Sequence, residues 1–209
     1  MGADQARWFV DSAGVLIQRL RVGDLENNVY IVSCKATGSA ALIDASFEPD
    51  HIAAECNGVT VEQILLTHGH WDHLAAASEL RVLLEAPLRI HPADLRPDLC
   101  RLAVDGYLAD RERIVIGEVE VAVLHTPGHT PGSVTFLVGE HAITGDTLFP
   151  GGPGATRWDY SSFDQIIESI ATRLFPLGDG VYVYPGHGDR MTTIGAERPD
   201  LQEWIDRGW

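Results

Sequence analysis

The heptapeptide Thr67-His68-Gly69-His70-Trp71-Asp72-His73 places three imidazoles and one carboxylate within six residues. It directly follows the apolar run Ile64-Leu65-Leu66, which is strand-like. His68 and His70 are two residues apart, so in an extended segment their rings point to the same side. Asp72 and His73 stand where a helical pattern begins, so they can turn toward a second point nearby. One short loop can therefore serve two adjacent metal ions.

Three later polar residues occupy equivalent positions in the chain. They are His129 in Thr126-Pro127-Gly128-His129-Thr130, Asp146 in Thr144-Gly145-Asp146-Thr147, and His187 in Pro185-Gly186-His187-Gly188. Each one follows a strand-like apolar run and sits at a glycine-rich turn, where scaffolds commonly present functional groups. We therefore expect four strand ends to converge on one site.

The composition indicates a globular protein with a substantial core. The chain has 209 residues, of which 45% are apolar, and we expect one domain over residues 1–209. No run approaches the roughly 18 apolar residues of a membrane span. Residues 1–7 lack the basic and apolar regions of a secretory signal. The expected location is the cytoplasm, with no membrane partner.

Charge and cysteine usage exclude further classes of protein. Thirty acidic against fifteen basic residues give a net charge of −15, which disfavours a nucleic-acid partner. Cys34, Cys56 and Cys100 are far apart and form no Cys-x-x-Cys motif, so we expect free thiols. A small-molecule substrate is the expected partner, and the sequence leaves the oligomeric state open.

Strand-like and helical segments alternate along the whole chain. Strands are predicted at residues 14–20, 28–33, 40–43, 64–66, 88–91, 113–116, 119–124, 134–138, 141–144 and 181–184, and helices at 49–56, 73–84, 162–174 and 199–207. This order favours an α/β (α+β) fold, a four-layer αβ/βα sandwich of two mixed β-sheets with helices on the outer faces. No Gly-x-Gly-x-x-Gly follows the first strand, so a dinucleotide-binding fold lacks its signal.

Imidazole and carboxylate ligands without a thiolate suit Zn²⁺, Fe²⁺ or Mn²⁺. The array His68-x-His70-x-Asp72-His73, followed in order by His129, Asp146 and His187, resembles the metallo-β-lactamase-fold hydrolase superfamily. The resemblance covers roughly residues 14–190 and is greatest to the glyoxalase II branch.

The resemblance implies a site for two divalent ions per chain, with Zn²⁺ as the first choice and Fe or Mn as alternatives. Its ligand sets would be His68, His70 and His129 for the first ion, Asp72, His73 and His187 for the second, and Asp146 as a bridge between them. Asp72 would also act in catalysis by orienting the nucleophile, a hydroxide bridging the two ions. The expected reaction is hydrolysis of an acyl thioester, since a thiol with a pKa of about 8.5 leaves without a general acid.

Residues 149–160 and residues 98–111 are the two candidate segments for the wall of the substrate pocket. Arg157 is a candidate for binding a substrate carboxylate, and Trp158, Tyr160 or Tyr107 for packing on the acyl part. The alternative interpretation is an exposed ion pair beside core or rim aromatics. Asp44 either braces the metal loop or caps a turn. His125 is expected to pack or to orient a neighbour, whereas His51, His91 and His141 are expected on the surface or in turns.

The chain departs from glyoxalase II after the last ligand. Only 22 residues follow His187, whereas full-length glyoxalase II enzymes carry a helical C-terminal domain that contacts glutathione. Glutathione recognition of the usual kind is therefore not expected. Three alternatives stay open: a class B β-lactamase-like hydrolase, of which one branch carries Cys where Asp146 stands; a persulfide dioxygenase with one iron held by two His and one Asp; and a binding module that keeps the metal for stability.

Overall fold

The computed structural model of the protein describes residues 8–12 and 14–208, with side chains from Val10 onward. The expectation drawn from residues 1–7 therefore lies outside the described residues. No helix within the described ranges combines the length and apolarity needed to cross a membrane.

The first sheet has seven strands in sequential order. They are β1 (Trp8–Ser12), β2 (Val15–Val22), β3 (Asn27–Cys34), β4 (Ser39–Ile43), β5 (Thr60–Leu65), β6 (Leu88–Ile90) and β7 (Gly106–Tyr107). The pairs from β1 to β4 are antiparallel, and the pairs from β4 to β7 are parallel. The sheet is therefore mixed, as the sequence predicts.

The second sheet has six strands and is also mixed. In chain order they are β8 (Arg113–Ile116), β9 (Val119–His125), β10 (Val134–Val138), β11 (His141–Gly145), β14 (Tyr182–Pro185) and β15 (Thr192–Thr193). Their spatial order is β15-β14-β11-β10-β9-β8, in which only the pair β11–β14 is parallel. A separate hairpin of β12 (Leu148–Phe149) and β13 (Gly152–Pro153) lies between β11 and β14 in the chain.

Helices cover the outer face of each sheet. They are α1 (Pro49–Glu55), α2 (Trp71–Leu74), α3 (Ala77–Leu83), α4 (Phe163–Ser169), α5 (Ile194–Glu197) and α6 (Leu201–Arg207). Helices α1 and α3 pack on the first sheet, while α4, α5 and α6 pack on the second. A π-helical turn at Ile170–Leu174 continues α4.

Alternating side chains of the central strands build three apolar layers. Along β3, Val29 and Ile31 pack toward α1 and α3, whereas Tyr30 and Val32 face the second sheet. Successive side chains of a strand point to opposite faces, so a strand between two layers must be apolar on both. All eight residues of β3 are buried, and the four that lie between the two layers, residues 29–32, are apolar. The predicted four-layer sandwich of two mixed sheets is confirmed.

The predicted helix over residues 73–84 is wrong as a single element. Helix α2 ends at Leu74 and α3 begins at Ala77. Between them the backbone of Ala45 intervenes: its N–H donates to the His73 carbonyl (2.9 Å), and its carbonyl accepts from the Ala76 N–H (3.0 Å). These bonds replace helical ones, because each backbone group has limited bonding capacity. Strand β1 and the two-residue strands were also not predicted; the latter are too short to show alternation.

Two parallel pairs of strands bring the polar loops together at one edge. Pairing of β4 with β5 places Asp44 beside Thr67, and pairing of β11 with β14 places Asp146 beside Gly186. A backbone hydrogen bond from the Val134 N–H to the Thr67 carbonyl (2.8 Å) joins the two sheets at this edge.

Candidate metal centre

The seven side chains predicted as ligands come together at the common edge of the two sheets. Their donor atoms form three overlapping groups, each within 4.8 Å: His68, His70 and His129; His68, His73 and Asp146; and Asp72, His73 and His187. The first and third groups are the two ligand sets expected from the sequence. The second group links them through Asp146.

Ring nitrogens face one another across this cluster. His70 Nδ1 lies 2.9 Å from His129 Nε2, and His73 Nε2 lies 3.0 Å from His187 Nε2. Asp146 lies between the two pairs, with Oδ2 3.4 Å from both His129 Nε2 and His187 Nε2. Two lone pairs directed at one point require a proton or a cation between them. The geometry therefore fits a shared carboxylate between two positively charged positions.

Two buried atoms of the cluster support the same conclusion. Within the described part of the chain, His68 Nε2 and Asp146 Oδ1 are shielded from solvent and have no hydrogen-bond partner. A buried polar atom without a partner is costly and needs an explanation, of which an ion is one. Both atoms point into the cluster, and imidazole with carboxylate is a donor set that divalent metals accept. The residues present fit a pair of divalent ions.

The outward nitrogen of every candidate ligand histidine has a hydrogen-bonding partner. The partners are Thr67 Oγ1 for His68 (3.0 Å), Tyr160 Oη for His70 (2.9 Å), Asp44 Oδ2 for His73 (2.8 Å), the Ala155 carbonyl for His129 (2.7 Å) and the Leu25 carbonyl for His187 (2.9 Å). A carbonyl oxygen only accepts, so Nδ1 of His129 and of His187 must carry the proton. In the neutral ring, Nε2 of His129 and of His187 then has a free lone pair directed into the cluster, the arrangement that metal-binding histidines use.

Two polar residues support the carboxylate and the loop of the second ligand set. Asn27, which the sequence did not single out, donates through Nδ2 to Asp72 Oδ2 (3.0 Å). Asp44 accepts from the Thr67 N–H (2.8 Å) and from the Thr67 hydroxyl, besides its contact with His73. Asp44 was expected either to brace the metal loop or to cap a turn, and its contacts with Thr67 and His73 fit the first role. Asn27 follows the turn that begins at Gly23, and nothing in its neighbouring sequence marks it as part of a site.

Glycine at position 186 allows the His187 loop to approach the cluster. A Cβ atom added at Gly186 would lie 2.2 Å from Asp146 Oδ1 and 2.7 Å from His73 Cε1, well inside van der Waals contact. Gly128, before His129, has a φ of 139°, and a Cβ there would lie 2.3 Å from the Ile166 backbone nitrogen. Both turns therefore need glycine to place the following histidine.

The first ligand set (His68, His70 and His129) and the second (Asp72, His73 and His187) differ in charge in the metal-free protein. Burial lowers the pKa of His70 to about 3 and also lowers the pKa values of His68 and His129, so these rings are neutral ligands. Burial also opposes charge on His73, but Asp146 and Asp44 outweigh it and raise its pKa to about 9. The pKa of His187 is likewise raised by Asp146 against the effect of burial. At neutral pH, a proton therefore stays on His73 of the second ligand set when no metal is bound.

The cluster lies in a cavity of about 680 Å³. Arg157, Trp158 and Tyr160 of the predicted loop line this cavity, and Trp158 and Tyr160 contact His70. The Arg157 guanidinium lies 4.9 Å from the centre of the Trp158 ring, and that ring lies 4.3 Å from His70.

Leu25, Trp71 and Phe149 also line the cavity. Phe149 belongs to the predicted loop 149–160, whereas the sequence reasoning missed Leu25 and Trp71, although Trp71 lies within the motif itself and is 62% exposed. A tryptophan this exposed is uncommon, and its ring packs edge-on against Phe47, with centres 5.4 Å apart, rather than in the buried core. Tyr107, proposed beside the loop residues, lies exposed in β7 and is not among the residues that line the cavity.

Three other histidines lie away from the cluster. His125 stacks on His91 with ring centres 4.1 Å apart and donates to or accepts from no candidate ligand; its Nε2 contacts the Pro131 carbonyl (2.9 Å). The placement of His141 at the surface or in a turn was wrong. It is buried in β11, where Nδ1 lies 2.9 Å from the Tyr184 hydroxyl, because that partner on β14 satisfies the ring.

Comparison with known proteins agrees with this geometry. The chain is 33% identical over 180 residues to the hydroxyacylglutathione hydrolase GloC of Haemophilus influenzae, covering 77% of this chain and 84% of that one. Among solved structures, the BLEG-1 B3 metallo-beta-lactamase superposes with a TM-score of 0.80 at 26% identity, covering 88% and 96% of the two chains. The structure of TTHA1623 in a di-iron-bound form superposes with a TM-score of 0.74 at 31% identity, covering 86% of this chain and 96% of that one.

The family model described as the Metallo-beta-lactamase superfamily matches residues 22–187, a range that begins in β2 and ends at the last candidate ligand. The resemblance drawn from the histidine motif is therefore confirmed. With its two mixed sheets, its ligand-bearing strand ends and this match, the chain belongs to the metallo-β-lactamase superfamily.

Proposed function

We propose that this protein is a dinuclear metallohydrolase that cleaves acyl thioesters, with its ions held by the seven residues of the cluster. The observation that carries the proposal is the position of Asp146 between two sets of inward-facing histidine nitrogens, with Oδ2 3.4 Å from one nitrogen of each set. The identity to a hydroxyacylglutathione hydrolase supports it. Zn²⁺ is the proposed metal, and Fe or Mn are the alternatives.

Bound divalent ions would supply an activated water and a Lewis acid for the acyl carbonyl. The protein contributes orientation. Asp72 Oδ2 accepts from Asn27 and lies 3.4 Å from His187 Nε2, so its carboxylate is held at one side of the second ligand set. In the proposed reaction this carboxylate orients the attacking water toward the carbonyl carbon.

The cavity favours a leaving group that needs no proton. Among its lining residues, Asp98 pairs with Arg96, which lowers the pKa of Asp98 and keeps it ionised. Burial raises the pKa of the Tyr160 hydroxyl, whose oxygen faces His70. Asp98 therefore has no proton to give at neutral pH and Tyr160 releases its proton less readily, whereas an amine leaving group needs a general acid. A thiol leaves as thiolate, so a thioester is the proposed substrate.

The loop residues that line the cavity indicate where one end of the substrate lies. Arg157 is exposed, and within residues 8–12 and 14–208 it has no ion-pair partner. Its guanidinium is therefore available to a substrate carboxylate, and Trp158 and Tyr160 provide aromatic surface beside it. The three free cysteines fit a reducing compartment, and we propose the cytoplasm.

The test combines metal analysis with a panel of acyl thioesters, esters, β-lactams and persulfides. Two ions per chain and turnover of thioesters above the other classes are expected. S-lactoylglutathione should be hydrolysed, but more slowly than a better-matched thioester. One iron per chain with oxygen consumption on a persulfide would assign a dioxygenase. Preferred β-lactam turnover would assign a lactamase, and no turnover with both sites filled would leave a binding module.

A further inference from the structure

Asp94 is a fully buried carboxylate that lies between two of the ligand loops. It ends the short 3₁₀ turn Pro92–Asp94 that follows β6, and its exposed fraction is 0%. It is not among the seven candidate ligands, and nothing in its local sequence, His91-Pro92-Ala93-Asp94, marks it as functional. A buried carboxylate is costly unless several donors satisfy it.

Both loops donate hydrogen bonds to this carboxylate. The Gly69 N–H donates to Oδ2 (2.7 Å) from the loop of the heptapeptide. The Thr130 hydroxyl donates to Oδ2 (2.7 Å) and the Gly132 N–H to Oδ1 (2.5 Å) from the loop of His129. Hydrogen bonds to an ionised acceptor are stronger and shorter than neutral ones. Asp94 is thus a link between the loops.

The bonded atoms adjoin the three histidines of the first ligand set. Gly69 lies between His68 and His70 in the chain, and Thr130 directly follows His129. The backbone bond between Val134 and Thr67 joins the strands behind these loops. It leaves the loop residues themselves to be fixed by other contacts, and Asp94 provides three of them.

The loops approach the carboxylate as closely as a backbone can. A Cβ atom added at Gly132 would lie 2.7 Å from Asp94 Oδ1, and one added at Gly69 would lie 3.0 Å from Asp94 Cβ. Real Cβ contacts below 3.0 Å are essentially unknown. Glycine at both positions therefore matches the presence of Asp94 rather than a need for a special φ, since neither residue has a positive φ.

We propose that Asp94 is a positioning residue that sets the spacing of His68 and His70 relative to His129 and thereby the affinity of the first ion. It acts through the loop backbones and touches neither the ion nor the substrate. The proposal rests on the ligand assignment but not on thioester chemistry, so a protein with another substrate would leave it standing.

The test is the affinity of each site for Zn²⁺ in the full-length protein, measured by competition with a chromophoric chelator. In Asp94→Asn one oxygen becomes an NH₂ group that faces other donors. We expect the affinity of the first site to fall by about 10–100-fold, the usual effect of losing a partner that orients metal ligands. The affinity of the second site should not change. The Co²⁺ absorption spectrum of the first site should change, which a purely structural loss would not cause.

Asp105→Asn is the matched control. Asp105 also accepts a backbone hydrogen bond, from the Leu88 N–H (2.9 Å), and pairs with Arg81, but it contacts neither ligand loop. In Asp105→Asn, the Zn²⁺ affinities of both sites should equal those of the wild type. Should Asp94→Asn fail to fold, Thr130→Val removes one of the three bonds and keeps the carboxylate; a smaller loss confined to the first site is then expected.

Two results would overturn the proposal. One is wild-type affinity at both sites and an unchanged Co²⁺ spectrum in Asp94→Asn. The other is an equal loss at both sites in Asp94→Asn or Thr130→Val that matches a loss of unfolding free energy in the presence of chelator. Such a result would give Asp94 a role in general stability alone.

Discussion

Replacement of Asp44 by Asn should destabilise the metal-free protein most strongly at low pH. Asp44 is buried, and its carboxylate contacts His73 Nδ1 at 2.8 Å and accepts two bonds from Thr67. Asparagine keeps the shape and one acceptor but removes the charge that faces His73. The buried imidazolium then loses one of the carboxylates that stabilise it.

The magnitude follows from burial and bonding. Removing one partner of a buried ion pair costs about 3–5 kcal/mol, because the other charge stays buried without compensation. Asp146 also faces His73, at 3.4 Å, and compensates part of the loss. We therefore expect the free energy of unfolding to fall by about 3 kcal/mol at pH 6. That is a large fraction of the roughly 5–15 kcal/mol of a typical domain.

The pH dependence tests the cause. The pKa of His73 is raised in the folded state to about 9, from 6.5. A raised pKa means that the stabilisation is fully present below pH 6.5 and is lost as the pH rises through 9. The difference between wild type and Asp44→Asn should therefore shrink as the pH rises from 6.5 to 9, and above pH 9 it should level off near the roughly 1 kcal/mol of a neutral hydrogen bond.

The measurement is urea unfolding in the presence of chelator at several pH values between 6 and 10. Asp11→Asn is the control, since the Asp11–Lys35 pair is exposed and should contribute less than about 1 kcal/mol. Equal stability of wild type and Asp44→Asn at pH 6 would refute the reasoning. So would a difference that stays constant or grows between pH 6 and pH 10.

Three further perturbations test other parts of the site. Asp146→Ala should lose both ions, because its carboxylate faces both ligand sets; elemental analysis that still finds two ions per chain would contradict a bridging role. Gly186→Ala should displace Asp146, since its Cβ would lie 2.2 Å from Oδ1; lower metal content and a lower melting temperature in chelator are expected, and full metal content would count against the reasoning. Arg157→Gln should raise KM about fivefold for a thioester bearing a carboxylate, as expected for loss of an exposed ion pair, and leave KM for a neutral thioester unchanged.

Much of this site was accessible from residue types and spacing. Metal coordination demands imidazole and carboxylate groups, and a strand followed by a glycine turn presents such groups at its end. The motif from His68 to His73, with His129, Asp146 and His187 at later strand ends, therefore indicated the site and the family. The order of strand-like apolar runs and helical segments indicated two mixed sheets with helices outside, because both patterns depend on the local geometry of the chain.

The contacts that complete the site join segments far apart in the chain, and local patterns carry no trace of them. The Leu25 carbonyl orients His187 from 162 residues away, and the Ala45 backbone breaks the helix expected after His73. Asn27 and Asp94 look like ordinary turn residues until the sheets pack. Residue types could thus specify which groups are candidate ligands. The packing of the two sheets specifies which nitrogen of each histidine faces inward and what holds it there, because those constraints arise only when distant backbones meet.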